Sequence, residues 1–340
     1  MQGLELLQPQ LADYELIDSG DFAKLERFGD RTTARPEPQA IWRRSLSDDD
    51  WQRLADATFR RNSDSDERPE HRQRINNNTD ERGRWFPKPG MPERWTMRYD
   101  YKDMHLRLRL ALTGFKHVGV FPEQAANWNF IYDTLRAMPG GGEGAQVLNL
   151  FAYTGGASLA ARSAGADVTH VDSVKQTVNW ARDNMELSTA GAISPTESRQ
   201  SSPQAMAQDK TRKVTERAAS GGSIRWIVDD ALKFVRREVK RKRLYDGIVL
   251  DPPAYGRGPD GEKWVLEQNI DEMLALCADL LKPHGFLVVN LYSMGLSALL
   301  ARTAVRRLFG VPVQEQFGEL YFADKAGKDL PLGVYYRFVR

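Results

Sequence analysis

Val147-Leu148-Asn149-Leu150-Phe151-Ala152-Tyr153-Thr154-Gly155-Gly156-Ala157-Ser158 is a nearly all-apolar run of strand length that breaks into a glycine turn and opens a helix. A short run that is apolar on both faces suits a buried parallel strand better than the half-exposed strand of a hairpin. The turn lets a ligand approach the backbone closely and places it at a helix N-terminus. The glycines are adjacent at 155 and 156 and the next is Gly165, so the dinucleotide spacing G-x-G-x-x-G is missing. A nicotinamide cofactor is therefore disfavoured.

Outward from this strand the pattern alternates. Helical spacing over 123–138 and a glycine-rich turn over 139–144 precede it; helices over 157–164, 174–187, 231–242 and 267–281 then alternate with strands over 168–171, 224–228, 246–250 and 285–291. That rhythm predicts an α/β fold, a doubly wound Rossmann-like sheet. A basic helix over 296–309 leads to strand-like runs at 313–322 and 332–339 joined by Asp324-Lys325-Ala326-Gly327-Lys328, which predict a C-terminal antiparallel hairpin. Residues 188–222, rich in Ser, Thr, Gln and Ala, read as a disordered surface insertion. Residues 1–120 read as a separate small α+β domain with a solvated polar middle over 60–84. Within that domain Leu106, Leu108 and Leu110 alternate with Arg107 and Arg109, as in a half-buried strand. The expected boundaries are thus 1–120 and 121–340.

Composition excludes several classes. The 340 residues hold one cysteine and five histidines, too few and too scattered for a disulfide scaffold or a Cys/His metal site, so no metal is expected. The apolar runs are broken by charge, Gly or Pro before they could span a bilayer, and the first residues lack the basic-then-apolar order of a signal peptide. A cytoplasmic protein without a membrane partner is the expectation. A net charge of +2 gives no global field, so an anionic partner must be held by a local patch.

Three predicted strands end in carboxylates: Asp172, seventeen residues after Gly155, then Asp229-Asp230, then Asp251. Asp172 alone could be a helix cap, but with the glycine turn it suits the two hydroxyls of an adenosine ribose. Ligands in open α/β sheets sit outside the carboxyl ends of the strands, so the three acids are better explained by one shared site than by three caps. Asp251 opens Asp251-Pro252-Pro253-Ala254-Tyr255-Gly256, a stiff turn able to hold an aromatic ring and carbonyls beside a planar acceptor.

From residue 119 to the C-terminus these segments resemble the class I S-adenosylmethionine-dependent methyltransferases, in particular the bacterial group that makes 5-methylcytosine and 7-methylguanine in 23S ribosomal RNA. Gly119-Val120-Phe121-Pro122-Glu123-Gln124 is similar to the segment before the fold, 149–156 to its first motif, Val171-Asp172-Ser173 to its ribose acid, Ala181-Arg182-Asp183-Asn184 to its second helix, Asp229-Asp230-Ala231 to its adenine-side acid, and Asp251-Pro252-Pro253 to its fourth motif. The resemblance implies S-adenosyl-L-methionine as cofactor. Gln124, Phe151, Tyr153, Thr154, Gly155 and Gly156 would line its methionine end, Asp172 with Ser173 its ribose, and Asp230 with Ala231 its adenine. It also implies Asp251, Pro252 and Pro253 as the catalytic turn and ribosomal RNA as partner; Tyr255 joins them as the aromatic ring of that stiff turn, one residue later than the family's aromatic because Ala254 intervenes.

The chain departs from the cytosine-methylating members in two ways. No counterpart of their N-terminal RNA-binding domain is found, and Tyr292-Ser293 stands after the fifth strand, where they carry a cysteine. Cys277 sits in an apolar helical stretch and reads as core. Transfer without a cysteine adduct, to an atom with its own lone pair such as a guanine ring nitrogen, is the expectation. Arg257 and Lys263 flank the catalytic turn as candidate phosphate contacts, and Tyr255, Trp264 and Tyr292 are candidate stacking rings. A methyltransferase for a small molecule or protein, and an RNA-binding module that transfers nothing, are the alternatives; the second would need a damaged cofactor site, and these motifs are intact.

Overall fold

The computed structural model describes residues 3–62, 82–192, 221–292 and 295–340. Its first elements are β1 (Glu5–Leu7), β2 (Tyr14–Gly20), β3 (Ala23–Phe28), β4 (Arg31–Pro36), α1 (Asp48–Leu54), β5 (Ala57–Arg61), β6 (Gly83–Pro87), β7 (Arg94–Tyr101) and β8 (Met104–Ala111). Strands β2 to β6 form one sheet in chain order, antiparallel except at β4 and β5, where α1 makes the crossover. Ser47 starts α1 by accepting the Asp50 N–H, and three aspartates in the first turn complement the helix dipole. In β8, Met104, Leu106, Leu108 and Leu110 are buried, while His105 is exposed and Arg107 and Arg109 half-buried, which is the alternation visible in the sequence.

The remaining elements are α2 (Ala125–Ala137), β9 (Gln146–Leu150), α3 (Gly156–Ser163), β10 (Asp167–Asp172), α4 (Lys175–Ala192), β11 (Ile224–Val228), α5 (Ala231–Lys240), β12 (Tyr245–Leu250), β13 (Tyr255–Arg257), β14 (Lys263–Val265), α6 (Leu266–Leu280), β15 (Leu281–Leu291), α7 (Ala298–Phe309), β16 (Gln314–Ala323) and β17 (Asp329–Val339). They build a sheet of order β1-β16-β17-β15-β12-β9-β10-β11. The five strands from β15 to β11 are parallel, and β17 and β16 form the C-terminal antiparallel hairpin. Connections run one way from β9 to β10 and β11 and the other way to β12 and β15. That reversal opens a crevice at the carboxyl ends of β9 and β12.

Two expectations are modified. Helix α4 continues to Ala192 instead of ending at 187, because Ser188 and Thr189 donate to the carbonyls of Asn184 and Met185 and so satisfy their hydroxyls inside the helix. The remainder of the 188–222 reading as far as 220, and most of the polar middle at 60–84, lie outside the described residues. The boundary at 120 divides the sequence and not the core. Strand β1 pairs in parallel with β16 of the large sheet, and one apolar cluster runs from Tyr14 and Phe28 through Leu106, Trp128 and Ile131 to Val147 and Val288. Buried polar bonds add to it: Asp324 accepts the Ser19 hydroxyl at 2.8 Å, and Asp18 accepts Lys328 Nζ at 2.8 Å and Trp51 Nε1 at 2.7 Å.

Candidate active site

The turn after β9 is unusual in its backbone. Phe151 has φ of 54°, Tyr153 of 49° and Gly155 of 90°, so three left-handed residues alternate along it. A side chain in that region costs about 1–2 kcal/mol, and such positions persist where the surroundings over-determine them. The surroundings are visible here. The Tyr153 N–H donates to Asp172 Oδ2 at 2.9 Å, the Thr154 hydroxyl to the Gly119 carbonyl at 2.6 Å, and Asn184 Nδ2 to the Thr154 carbonyl at 2.9 Å. At Gly156 a Cβ would lie 2.4 Å from the Trp128 ring, so the close seating of α3 on α2 requires glycine.

This turn forms one wall of a cleft that brings together Gln124, Phe151, Tyr153, Thr154, Gly155, Gly156 and Asp251 from the expected set. Asp172 with Ser173, and Asp230 with Ala231, lie outside the lining, at the ends of β10 and β11 further along the same sheet edge. The carboxyl-end order Asp251, glycine turn, Asp172, Asp230 therefore follows the strand order β12, β9, β10, β11. Both Asp172 oxygens accept backbone N–H groups, from Tyr153 and Val174, each with a lone pair to spare. Burial pushes its carboxyl above the ordinary value, and those two donors oppose the shift. Asp230 caps α5 by accepting the Lys233 N–H through Oδ1 at 2.8 Å, which leaves Oδ2 for another donor.

Gln124 belongs to a polar hub. Its Oε1 accepts Asn127 Nδ2 at 3.0 Å and Asn290 Nδ2 at 2.8 Å, while its Nε2 donates to the Tyr292 hydroxyl. Tyr292, Phe121 and Tyr153 follow one another at ring distances of 5.6 and 5.3 Å. The cleft thus has an aromatic side as well as a polar floor.

Asp251 supplies the strongest chemical signal. Its Oδ1 is buried and has no hydrogen-bond partner among the described residues, in a cleft-lining position. Burial, then the charge of Glu123, push its carboxyl up to about 8. Glu123 is itself pushed up to about 7 by burial, with Lys24 and Arg35 pulling the other way. The shift favours the protonated carboxyl, which can both donate and accept a hydrogen bond.

Beyond Asp251, Pro252 is buried and Pro253 exposed. Strands β13 and β14 pair Tyr255 with Val265 and Arg257 with Lys263, so Tyr255, Arg257 and Lys263 share one exposed face of the ribbon. Trp264 corrects an expectation. It is buried, its Nε1 donates to the Pro253 carbonyl at 2.7 Å and its ring packs on Phe151 at 4.7 Å, so it braces the turn and offers no face to a base. The structure also brings forward residues to which the sequence reading gave no site role: Phe121, Asn127, Trp128 and Asn149 line the cleft, and Glu123 and Asn290 are buried next to Gln124. A single Asn in the buried run 286–291 was the available clue to the last.

A crystal structure of an S-adenosylmethionine-dependent methyltransferase from Agrobacterium tumefaciens is 32% identical to this chain, covers 98% of it and 93% of its own length, and superposes with a TM-score of 0.77. The chain is a member of the S-adenosylmethionine-dependent methyltransferases. No family model matches this methyltransferase. Curated relatives include the ribosomal RNA large subunit methyltransferases K/L of Shewanella frigidimarina, 27% identical over 186 residues, and of Syntrophotalea carbinolica, 27% identical over 195. Those matches take in 54% and 57% of the methyltransferase but only 21% and 22% of the relatives, so it spans about a fifth of their length.

The family's cofactor is S-adenosylmethionine, and the donor set suits it. Amides at the start of α3 match a carboxylate, the Asp172 oxygens match a vicinal diol, and the orphaned Asp251 oxygen with its aromatic neighbours matches a cationic methyl donor and a planar acceptor. No helix among the described residues is long and apolar enough to cross a membrane. No group of His, Cys, Asp or Glu among them could hold a metal ion.

Proposed function

We propose that this methyltransferase acts in the cytoplasm on a base of ribosomal RNA, and that transfer proceeds without a cysteine adduct. The observation that carries the reading is the cleft-lining Asp251, whose unpartnered buried oxygen stands at the head of a rigid Pro252-Pro253 turn. Buried polar atoms are almost always paired, so this one awaits a ligand group. A protonated carboxyl offers a donor and an acceptor side by side, which complements the edge of a nucleobase. The kinship with the K/L methyltransferases supports ribosomal RNA as the substrate class.

In this reading Gln124 and residues 151–156 hold the methionine end of the cofactor, Asp172 with Ser173 its ribose, and Asp230 with Ala231 its adenine. S-adenosylmethionine supplies an electrophilic methyl on a positively charged sulfur. The chain's part is to position a ring nitrogen in line with it and to keep water out. Asp251 fixes the edge of the base, Tyr292 and Tyr255 bound its face, and Arg257 and Lys263 hold flanking phosphates. Cys277 is on the buried face of α6, where burial pushes its thiol up to about 12, so it is neither placed nor ionised for addition to a pyrimidine.

Nucleoside mass spectrometry of ribosomal RNA from cells with and without the protein tests this. One methylated base other than 5-methylcytosine should be missing. Loss of 5-methylcytosine would overturn the mechanism, and an unchanged set of nucleosides would overturn the substrate.

A further inference from the structure

We propose that the groove between α1 and the outer face of β4 to β6 is a second RNA contact, which holds phosphates on Arg60 and Lys88 and stacks a base on Phe86. Its lining carries four cations, Arg35, Arg44, Arg60 and Lys88, against the single carboxylate of Asp48. Two of the four are already neutralised, Arg35 by Glu26 at 2.6 Å and Arg44 by Asp48 at 3.0 Å. Arg60 and Lys88 have no carboxylate partner among the described residues, and Lys88 Nζ spends one donor on the Arg53 carbonyl.

The register of β5 and β6 makes the charge harder to explain without a ligand. Arg60 stands directly opposite Arg84, and Thr58 opposite Phe86, so the outer face of this pair presents two arginines and an aromatic ring while Phe59 and Trp85 point into the core. Like charges directly opposite on a ladder destabilise it. Phe86 is 47% exposed at the sheet edge, with the Arg60 guanidinium 4.9 Å from its ring centre. A large aromatic left in solvent beside unpaired cations is the combination that binds single-stranded nucleic acid, since bases stack on the ring and phosphates neutralise the arginines. An acidic protein would satisfy the charges but would not stack on Phe86.

The groove is linked to the cleft wall by side-chain contacts within the protein. Arg35 lines it, and Arg35 Nη1 is 3.5 Å from His117 Nδ1 and 3.4 Å from the Lys116 carbonyl. The His117 ring packs on Phe121 at 4.8 Å, and Phe121 is a wall of the cleft. The inference rests on RNA being the substrate, and it adds where outside the acceptor site that substrate is gripped.

The test uses the full chain and a short fluorescein-labelled single-stranded RNA of mixed sequence, read by anisotropy over a salt series, with methyl transfer to ribosomal RNA measured in parallel. Arg60→Glu combined with Lys88→Glu should weaken RNA binding on the order of 10- to 100-fold and flatten the slope of log affinity against log salt by about 2. Phe86→Ala should weaken it on the order of 5- to 100-fold with the salt slope kept. S-adenosylmethionine affinity, measured by calorimetry, should stay unchanged in both, which separates loss of contact from loss of fold. As a check independent of substitution, 4-thiouridine RNA should crosslink to the peptide spanning 84–88 in the wild type. Wild-type methylation of RNA with variants that bind as tightly as wild type, or crosslinks confined elsewhere, would overturn the groove and leave the substrate reading standing. A wild type that neither binds nor methylates RNA would overturn both. Displacement of the RNA by polyglutamate at equal charge would assign the groove to an acidic protein and overturn the inference.

Discussion

Asp172 Oδ2 accepts the backbone N–H of Tyr153 at 2.9 Å, and this bond ties the end of β10 to the left-handed turn after β9. The carboxylate holds the turn and still has lone pairs to spare, which the proposed function assigns to the ribose. Asp172→Ala should weaken S-adenosylmethionine binding by about 1–3 kcal/mol, because charged acceptors are lost where the alternative is a dry pocket. Asp172→Asn, which keeps one acceptor for the Tyr153 N–H, should lose less. Titration calorimetry on folded variants checks the order, and equal affinity in all three proteins would remove Asp172 from the cofactor site.

The same turn makes a prediction about backbone alone. Tyr153 sits at φ of 49°, a region that glycine enters freely and alanine does not. Tyr153→Gly should therefore be more stable than Tyr153→Ala by about 1 kcal/mol, the reverse of their order in a helix or strand. Both lose the contact with Phe121, so the comparison isolates the dihedral. Urea denaturation of the two variants measures it, and an alanine variant at least as stable as the glycine one would contradict the turn geometry.

Asp251 and Glu123 predict a pH dependence. Their carboxyls are pushed up to about 8 and about 7, in each case first by burial, whereas in the unfolded chain both titrate near 4. Between those limits the folded state holds more protons than the unfolded one, so their contribution to stability falls as pH rises from about 4 to about 8. The charges that face them are Lys24, Arg35 and Glu26 around Glu123, and the neutral Tyr292 hydroxyl between the two. Asp251→Asn should remove part of the decline and also relieve Glu123. Relative to wild type, the cofactor-free variant should gain stability between pH 5 and pH 8, on the order of 1 kcal/mol or more. Thermal melts at the two pH values read this directly, and a constant gap between the proteins would show that Asp251 ionises normally.

Trp264 gives a prediction that separates binding from transfer. Its Nε1–H bond to the Pro253 carbonyl braces the proposed acceptor turn, while the contact of its ring with Phe151 is one that a phenyl side chain can keep in part. Trp264→Phe should leave S-adenosylmethionine affinity nearly intact and lower the transfer rate, on the order of 10-fold or more, because misplacement of about 1 Å at a reacting centre is enough for such losses. Single-turnover transfer beside calorimetry distinguishes the two. An equal fall in both would mean that the ring supports the whole cleft through Phe151.

Local pattern carried far in this chain where burial made it unambiguous. Strand β9 could be read because a short apolar run flanked by glycines has few other uses, and the strand-end positions of Asp172 and Asp251 because the alternating pattern marked where each parallel strand stops. The hidden parts depended on pairings distant in sequence. Glu5 to Leu7 could be assigned to the large sheet only by knowing its partner Gly318 to Leu320, more than 300 residues away. Trp264 read as a stacking ring because it closes the loop 256–264 beside the expected catalytic turn, and only the fold shows its edge turned to Pro253. Gln124 read as a cofactor contact; its carbonyl is also engaged by Asn127, its neighbour at helical i+3 spacing, and by Asn290, whose closeness across the sequence no spacing rule reveals.

The last prediction concerns Cys277. Carbon 5 of a pyrimidine is a poor nucleophile, and its methylation calls for a thiolate that first adds to carbon 6. Such a thiolate must be exposed to the base and its pKa lowered by nearby positive charge. Cys277 has neither property: it is fully buried among Leu274, Leu280 and Leu287, and burial pushes its pKa up to about 12. No other cysteine exists in the chain. Cys277→Ala should therefore cost stability on the order of 1 kcal/mol, as small core truncations do, and leave the rate of methyl transfer per folded molecule unchanged. Transfer assays on purified ribosomal RNA, normalised to the cofactor-binding fraction, provide the comparison. A folded Cys277→Ala protein that binds S-adenosylmethionine but transfers nothing would place the thiol in the reaction and require the core around α6 to open during catalysis.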